Sequence, residues 1–140
     1  MAKVHLTTVL PVPARMVWDT IGGFNSLAKW HPAVARSDES KEGAATVRRL
    51  TLHGGGSIVE RLESKDDKRR TYTYSILEGP LPVSGYEATL QVEENQDGKS
   101  CTVEWSSAFE PAGASEPDAV KVIRGIYEAG FENLRKMFGK

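Results

Sequence analysis

The sequence has few cysteines and histidines, and none of them forms a metal-binding or nucleophilic pattern. Cys101 is the only cysteine, which excludes an internal disulfide and a cysteine metal cluster. His5, His31 and His53 lack the close spacing of paired ligands. We therefore predict no metal site, and we expect Cys101 to be a small, buried apolar residue.

Long apolar runs, an excess of one charge and phosphate-binding loops are also missing. The net charge is -1, which predicts no binding to nucleic acid. No run approaches the roughly 20 apolar residues of a membrane span, and Met1–Leu10 lacks a signal peptide's apolar stretch. We therefore expect a cytoplasmic protein. We also expect no cofactor, because Gly54–Gly56 lacks the Lys-Ser/Thr of a phosphate loop. The pairs Arg48–Arg49 and Arg69–Arg70 are expected at solvent-exposed strand ends.

The sequence does contain alternating apolar and polar residues, which predict strands. The 140 residues suit one domain, 1–140. Two short helices are predicted at Ala14–Ile21 and Asn25–Trp30. The fold class is therefore α+β, in the order β-α-α-β6-α, with a helix covering the apolar face of an antiparallel sheet. The predicted strands are Lys3–Val12, Val34–Glu39, Thr46–His53, Ser57–Ser64, Arg70–Leu77, Gly85–Glu94 and Ser100–Glu110.

A long helix is predicted at Glu116–Phe138, with Ser115 as its N-cap and Gly139 as its stop. Gly125 and Gly130 lie inside it, and each costs about 1 kcal/mol relative to alanine. We expect them on or beside the buried face, where the missing volume admits another backbone or leaves a space for a ligand.

Glu60 lies between Ile58 and Leu62 on the predicted inner face of its strand. A carboxylate in an apolar wall needs a hydrogen bond or a partner, and burial raises its pKa. Glu60 therefore binds a ligand hydroxyl through water or acts as a general acid or base. The alternatives are an internal pair with an arginine or lysine, or a side chain turned outward.

His31 follows Trp30 and precedes Pro32. Its ring either binds a ligand at a cavity mouth or caps a helix end. His53 either swings over a ligand or is exposed, and His5 is expected at the surface. The aromatic residues of the strands either line a cavity or pack the core; they are Tyr72, Tyr74, Tyr86 and Trp105.

Three segments resemble the START/Bet v 1-like (SRPBCC) superfamily, in particular its bacterial polyketide cyclase/dehydrase-like branch: Val17–Asp19, Phe24–Pro32 and the long terminal helix. The middle of the chain, from Glu60 to Ile76, is similar to the plant abscisic-acid receptors. The resemblance implies the helix-grip fold, a seven-stranded curved sheet around the terminal helix and a cavity. Members bind lipids, hormones or polyketides, and some are enzymes.

The resemblance also implies roles for particular residues. Gly54–Gly56 occupies the place of the receptors' gate loop, and Leu81–Val83 the place of their latch. Glu60 and Tyr86 correspond to polar pocket residues. His31 replaces the lysine that anchors the hormone's carboxylate, so we expect a cavity but not that hormone.

Three functions follow from these features. The first is binding of a small, largely apolar ligand. The second is a cyclase or dehydratase reaction with Glu60 or His31 as acid or base, and the third is an interaction protein with a filled core. We expect a monomer or weak homodimer. The predicted ligand contacts are His31, Leu52, Ile58, Glu60, Leu62, Tyr74, Ile76, Leu81, Tyr86, Ala88, Trp105, Val122, Ile126 and Gly130.

Overall fold

The structure is a computed structural model that describes residues 1–139. The predicted order of one strand, two short helices, six strands and a long helix is confirmed. The elements are β1 (Ala2–Leu10), α1 (Ala14–Ile21), α2 (Leu27–Trp30), β2 (Val34–Glu42), β3 (Ala45–Leu52), β4 (Ser57–Asp66), β5 (Thr71–Glu78), β6 (Val83–Glu94), β7 (Cys101–Pro111) and α3 (Glu116–Phe138).

The strands form one antiparallel sheet in the order β1-β7-β6-β5-β4-β3-β2. The first strand therefore pairs with the last, and the other strands follow as consecutive hairpins. Register shifts interrupt β2 between Val34 and Arg36, and β6 between Ser84 and Glu87. Such irregularities bend a strand and increase its twist. The curved sheet holds α3, which packs against β1 and β7, and this is the predicted helix-grip architecture.

The ends of α3 follow the predicted capping residues. The Ser115 hydroxyl accepts a hydrogen bond from the Asp118 amide at 3.3 Å, and the Gly139 amide donates to the Arg135 carbonyl at 2.7 Å. No helix within residues 1–139 is long and apolar enough to cross a membrane. The buried face of α3 consists of Ala119, Ile123, Tyr127, Gly130, Phe131 and Leu134.

Of the two alternatives for the glycines of α3, an empty space is formed at neither position, and close packing is found at Gly130. Gly125 is exposed, and a Cβ there would meet nothing within 4 Å. Gly130 is buried, but a Cβ there would lie 2.9 Å from His31, 3.0 Å from Trp30 and 3.1 Å from Trp105. The missing side chain at Gly130 is thus filled by three rings, which pack directly on the helix backbone.

Candidate ligand-binding site

A cavity of about 240 Å³ lies between the sheet and α3. Its walls come from α2, from the strands β2 to β7 and from one face of α3, and they are mainly aliphatic and aromatic. A cavity of about 150 Å³ with similar walls binds benzene, so this space can hold a somewhat larger molecule.

The cavity has an apolar mouth and a polar inner end. At the mouth, Leu52 and Leu81 are half-buried and Val122 is 40% exposed. The inner end is formed by buried groups that include Glu60 and Tyr86. A ligand entering there would pass apolar side chains first and meet hydrogen-bonding groups last.

Most of the predicted ligand contacts line this cavity. Leu62 instead lines a polar surface groove with Thr46 and Lys65. Ala88 is buried in the sheet away from the cavity, and Gly130 is covered by the rings described above. The predicted residues that do line the cavity are His31, Leu52, Ile58, Glu60, Tyr74, Ile76, Leu81, Tyr86, Trp105, Val122 and Ile126.

Several lining residues were not predicted. Leu50 shares the alternation of Leu52, and Ile123 and Tyr127 flank Ile126 on α3, so periodicity contained a signal for these three. Tyr72, expected as a possible wall, is buried but does not line the cavity. The unpredicted lining residues are Leu27, Ala33, Val34, Leu50, Ile123 and Tyr127.

Glu60 faces inward, as predicted, and it forms a buried ion pair with Arg48. The two residues lie directly opposite each other in the β3–β4 ladder, which places their side chains on the same face. Arg48 Nε donates to Glu60 Oε1 at 2.8 Å, and Nη2 lies 2.6 Å from the same oxygen. Arg48 is 1% exposed, so its expected place at a solvated strand end was wrong; Arg49 and Arg69 are exposed, and Arg70 is half-buried.

The surroundings of Arg48 stabilise its positive charge. Its Nη1 donates to the Phe24 carbonyl, and its guanidinium carbon lies 4.1 Å from the centroid of the Phe24 ring. Burial is the largest single influence and lowers the pKa of Arg48, but the charge of Glu60 together with Tyr72 and Tyr74 outweighs it, so the pKa is raised. For Glu60, burial raises the pKa and Arg48 opposes the rise. The second carboxylate oxygen of Glu60 accepts no hydrogen bond from the described chain.

His31 connects α2 to α3 at the cavity wall. Its Nδ1 accepts from the Ala33 amide at 3.1 Å, so Nε2 carries the proton and donates to the Ile126 carbonyl at 2.8 Å. Burial lowers the pKa of His31, against the bond to Ile126. The ring lines the cavity, and its two hydrogen bonds join the turn after α2 to the middle of α3 rather than capping a helix end.

Buried hydroxyls form a chain along the inner end. Trp105 Nε1 donates to the Tyr74 hydroxyl at 3.1 Å, which lies 3.4 Å from the Tyr86 hydroxyl. The Tyr86 hydroxyl in turn contacts that of Tyr127. Burial raises the pKa of all three tyrosines, so they are neutral donors and acceptors.

The remaining candidates lie away from the inner end. His53 and His5 are exposed, and His5 pairs with Glu104. Cys101 is buried, as expected, and burial raises the pKa of its thiol. In the loop Gly54–Gly56, a Cβ at any of the three glycines would meet nothing within 4 Å, so this loop stands clear of the sheet.

Comparison with known proteins matches this architecture to a family. Residues 1–139 match the family described as polyketide cyclase/dehydrase and lipid transport. The chain belongs to this family. The protein XoxI from Bacillus cereus has a similar structure, with a TM-score of 0.93 and 38% identity over 99% of this chain and 96% of XoxI.

Two more distant proteins are also similar to this chain. The abscisic acid receptor PYL2 of Arabidopsis thaliana is 28% identical over 141 residues, which cover 92% of this chain and 73% of the receptor. The Zhui aromatase/cyclase from Streptomyces sp. R1128 has a TM-score of 0.73 at 18% identity, over 97% of this chain and 95% of Zhui. That similarity shows the fold alone. The predicted SRPBCC/Bet v 1-like relationship is confirmed.

Proposed function

We propose that the protein binds a small, largely apolar molecule in the cavity between the sheet and α3. The observation that carries this proposal is the cavity of about 240 Å³, whose walls are almost wholly apolar and whose few polar groups, Glu60 among them, are buried. Scaling from the smaller cavity that binds benzene gives room for about ten non-hydrogen atoms. Burial at about 25 cal/mol per Å² of apolar area supplies the affinity, and the polar groups orient the ligand.

Two loops flank the route to this cavity. Leu81 belongs to the loop between β5 and β6 and lines the cavity. Gly54–Gly56 follows Leu52, which also lines it, and Gly55 and Gly56 have φ values of 96° and 86°. The Gly54–Gly56 turn has no side chains, and its backbone bonds to Leu52 at the edge of the cavity. We therefore propose that these loops admit the ligand.

A cyclase or dehydratase reaction in the same cavity is the second function. It is favoured by the raised pKa of Glu60 at the inner end, which suits a general acid or base. Binding is the better-supported function, because His31, the other acid/base candidate, has both ring nitrogens engaged with backbone groups.

The proposal is tested by closing the mouth of the cavity. Val122→Trp places an indole at the mouth, whereas Val9→Trp makes the same change at a valine that is 60% exposed on β1. We expect Val122→Trp to weaken binding of 2-naphthol, measured by isothermal titration calorimetry, by about tenfold or more, a loss of about 1.4 kcal/mol. Val9→Trp should bind as the unaltered protein does. Equal binding by both variants, or no binding heat from the unaltered protein, would contradict the proposal.

A further inference from the structure

The inner end of the cavity offers no positive charge to a ligand. Within residues 1–139, no lysine or arginine lines the cavity. Arg48 lies behind Glu60, and its nitrogens are directed to Glu60 and to the Phe24 carbonyl. His31 uses one nitrogen as an acceptor and the other as a donor to the backbone. A carboxylate or phosphate in this cavity would therefore find no cation with which to pair.

The cavity does offer a hydrogen-bond acceptor. Oε1 of Glu60 receives both contacts from Arg48, at 2.6 and 2.8 Å. Oε2 has no donor in the described chain, and the Glu60 side chain, 6% exposed, lines the cavity. An ionised carboxylate oxygen accepts hydrogen bonds but cannot donate them. The contents of the cavity must supply the donor that Oε2 lacks.

The tyrosine hydroxyls beside the cavity have one proton to donate, either to the buried Ser107 hydroxyl, which has no other partner within residues 1–139, or to a ligand. The hydroxyls of Tyr74, Tyr86 and Tyr127 contribute one proton each, and the two contacts among them use two protons. The Trp105 N–H is donated to Tyr74 and adds no proton to the hydroxyl chain. One O–H is left for a group outside the three tyrosines, whichever way the hydroxyls point. All three rings line the cavity.

Resting on the proposed function, we propose that the ligand is a neutral, compact apolar molecule that bears a hydroxyl, such as a phenol or an alcohol. Its hydroxyl donates to Glu60 Oε2. A ligand carboxylate would instead be placed beside the Glu60 carboxylate in a site of low polarity, where like charges repel. The cavity volume of about 240 Å³ limits the apolar frame to one or two rings.

Four related compounds test this ligand class on the unaltered protein at neutral pH. Naphthalene supplies the apolar frame, 2-naphthol adds a donor and acceptor, 2-methoxynaphthalene adds an acceptor only, and 2-naphthoate adds a negative charge. By isothermal titration calorimetry we expect 2-naphthol to bind about 3- to 10-fold more tightly than naphthalene or 2-methoxynaphthalene, as one net hydrogen bond gives. We expect 2-naphthoate to bind more weakly than naphthalene.

The outcomes separate this inference from the proposed function. If none of the four compounds binds, the proposed function itself fails. If they bind but 2-naphthoate is the tightest, or 2-methoxynaphthalene equals 2-naphthol, the cavity is a binding site and the neutral-hydroxyl inference is overturned.

A variant assigns the acceptor to one residue. Glu60→Gln replaces an acceptor oxygen by an amide that also donates, so we expect the advantage of 2-naphthol over 2-methoxynaphthalene to disappear. Glu63→Gln is the control, since Glu63 lies on the same strand at the surface and pairs with Arg61. An unchanged advantage in a Glu60→Gln protein that is folded by circular dichroism would overturn the assignment. If that variant does not fold, the four-compound series decides alone.

Discussion

At the residue scale, the pair of Arg48 and Glu60 links the stability of the fold to the chemistry of the cavity. Two charges that are 1% and 5% exposed have lost most of their hydration, and their mutual attraction repays this only with good geometry. Arg48 meets this requirement through Glu60 on one side and the Phe24 carbonyl on the other. The same geometry occupies one carboxylate oxygen of Glu60 and leaves the other without a donor from the described chain.

Removing one member of this pair should be far more harmful than removing an exposed arginine from the same strand. We expect Arg48→Met to lower the free energy of unfolding by about 3–5 kcal/mol, because Glu60 is left as an uncompensated buried charge. Arg49→Met should change it by no more than about 0.5 kcal/mol. Urea titration of both variants measures the difference. Similar values for the two would show that the pair carries no such cost.

Alternation along β4 was sufficient to predict the inward position of Glu60, but the partner of Glu60 was not predicted. Arg48 shares its strand face with Leu50, so periodicity also pointed it inward; the general preference of arginine for solvent was given more weight. The pairing register decides the matter, because it sets Arg48 opposite Glu60. Register depends on the β3–β4 turn geometry, which a flexible glycine run does not specify.

At the scale of the element, the ends of α3 were predicted correctly. The side chains that fill the space beside its glycine Gly130 were not predicted. Caps act locally, through Ser115 and Gly139, and are therefore visible in the sequence. The reason for Gly130 lies in side chains distant along the chain: Trp30, His31 and Trp105. A sequence shows that a helix tolerates a glycine, but not which rings occupy the missing volume.

The two glycines of α3 should respond to alanine in opposite directions. Gly125→Ala adds a methyl group in open space and should raise the free energy of unfolding by up to about 1 kcal/mol through helix propensity. Gly130→Ala gains the same propensity, but its Cβ would lie 2.9 Å from His31 and 3.0 Å from Trp30. Such overpacking costs about 1–3 kcal/mol, so we expect net destabilisation.

Thermal unfolding followed by circular dichroism compares the two alanine variants directly. A stabilising Gly130→Ala would mean that the rings yield without cost and that α3 is not held at this position. The same variant should also perturb the cavity, because His31 and Trp105 form part of its wall.

At the scale of the whole molecule, one face of the sheet, α2 and α3 each contribute side chains to the wall of the cavity. The order of helices and strands along the chain could be derived from the sequence pattern and the family resemblance. The cavity was expected from the resemblance. The identity of its inner end could not be derived, because the hydroxyl chain joins Tyr74, Tyr86 and Tyr127 from β5, β6 and α3. Contacts of that kind arise only once the helix is seated on the sheet.

His31 connects these parts, so its protonation should affect the stability of the whole fold. Burial lowers its pKa in the folded protein below the ordinary 6.5, while the unfolded chain retains that ordinary pKa. The unfolded state therefore binds the proton more readily, and the free energy of unfolding falls as the pH drops below 6.5 until the folded pKa is passed. Protonation at Nδ1 would also remove the acceptor of the Ala33 amide.

Urea titrations between pH 8 and pH 5 should reveal this contribution as a difference between variants. Subtracting the His31→Gln profile from that of the unaltered protein cancels the other titrating groups, including Glu60, whose raised pKa acts in the opposite direction. We expect this difference to shrink with falling pH below about 6.5. His53→Gln, at an exposed histidine, is the matched control. If the two histidine variants behave alike, His31 is not the group through which acid loosens the contact between α2 and α3.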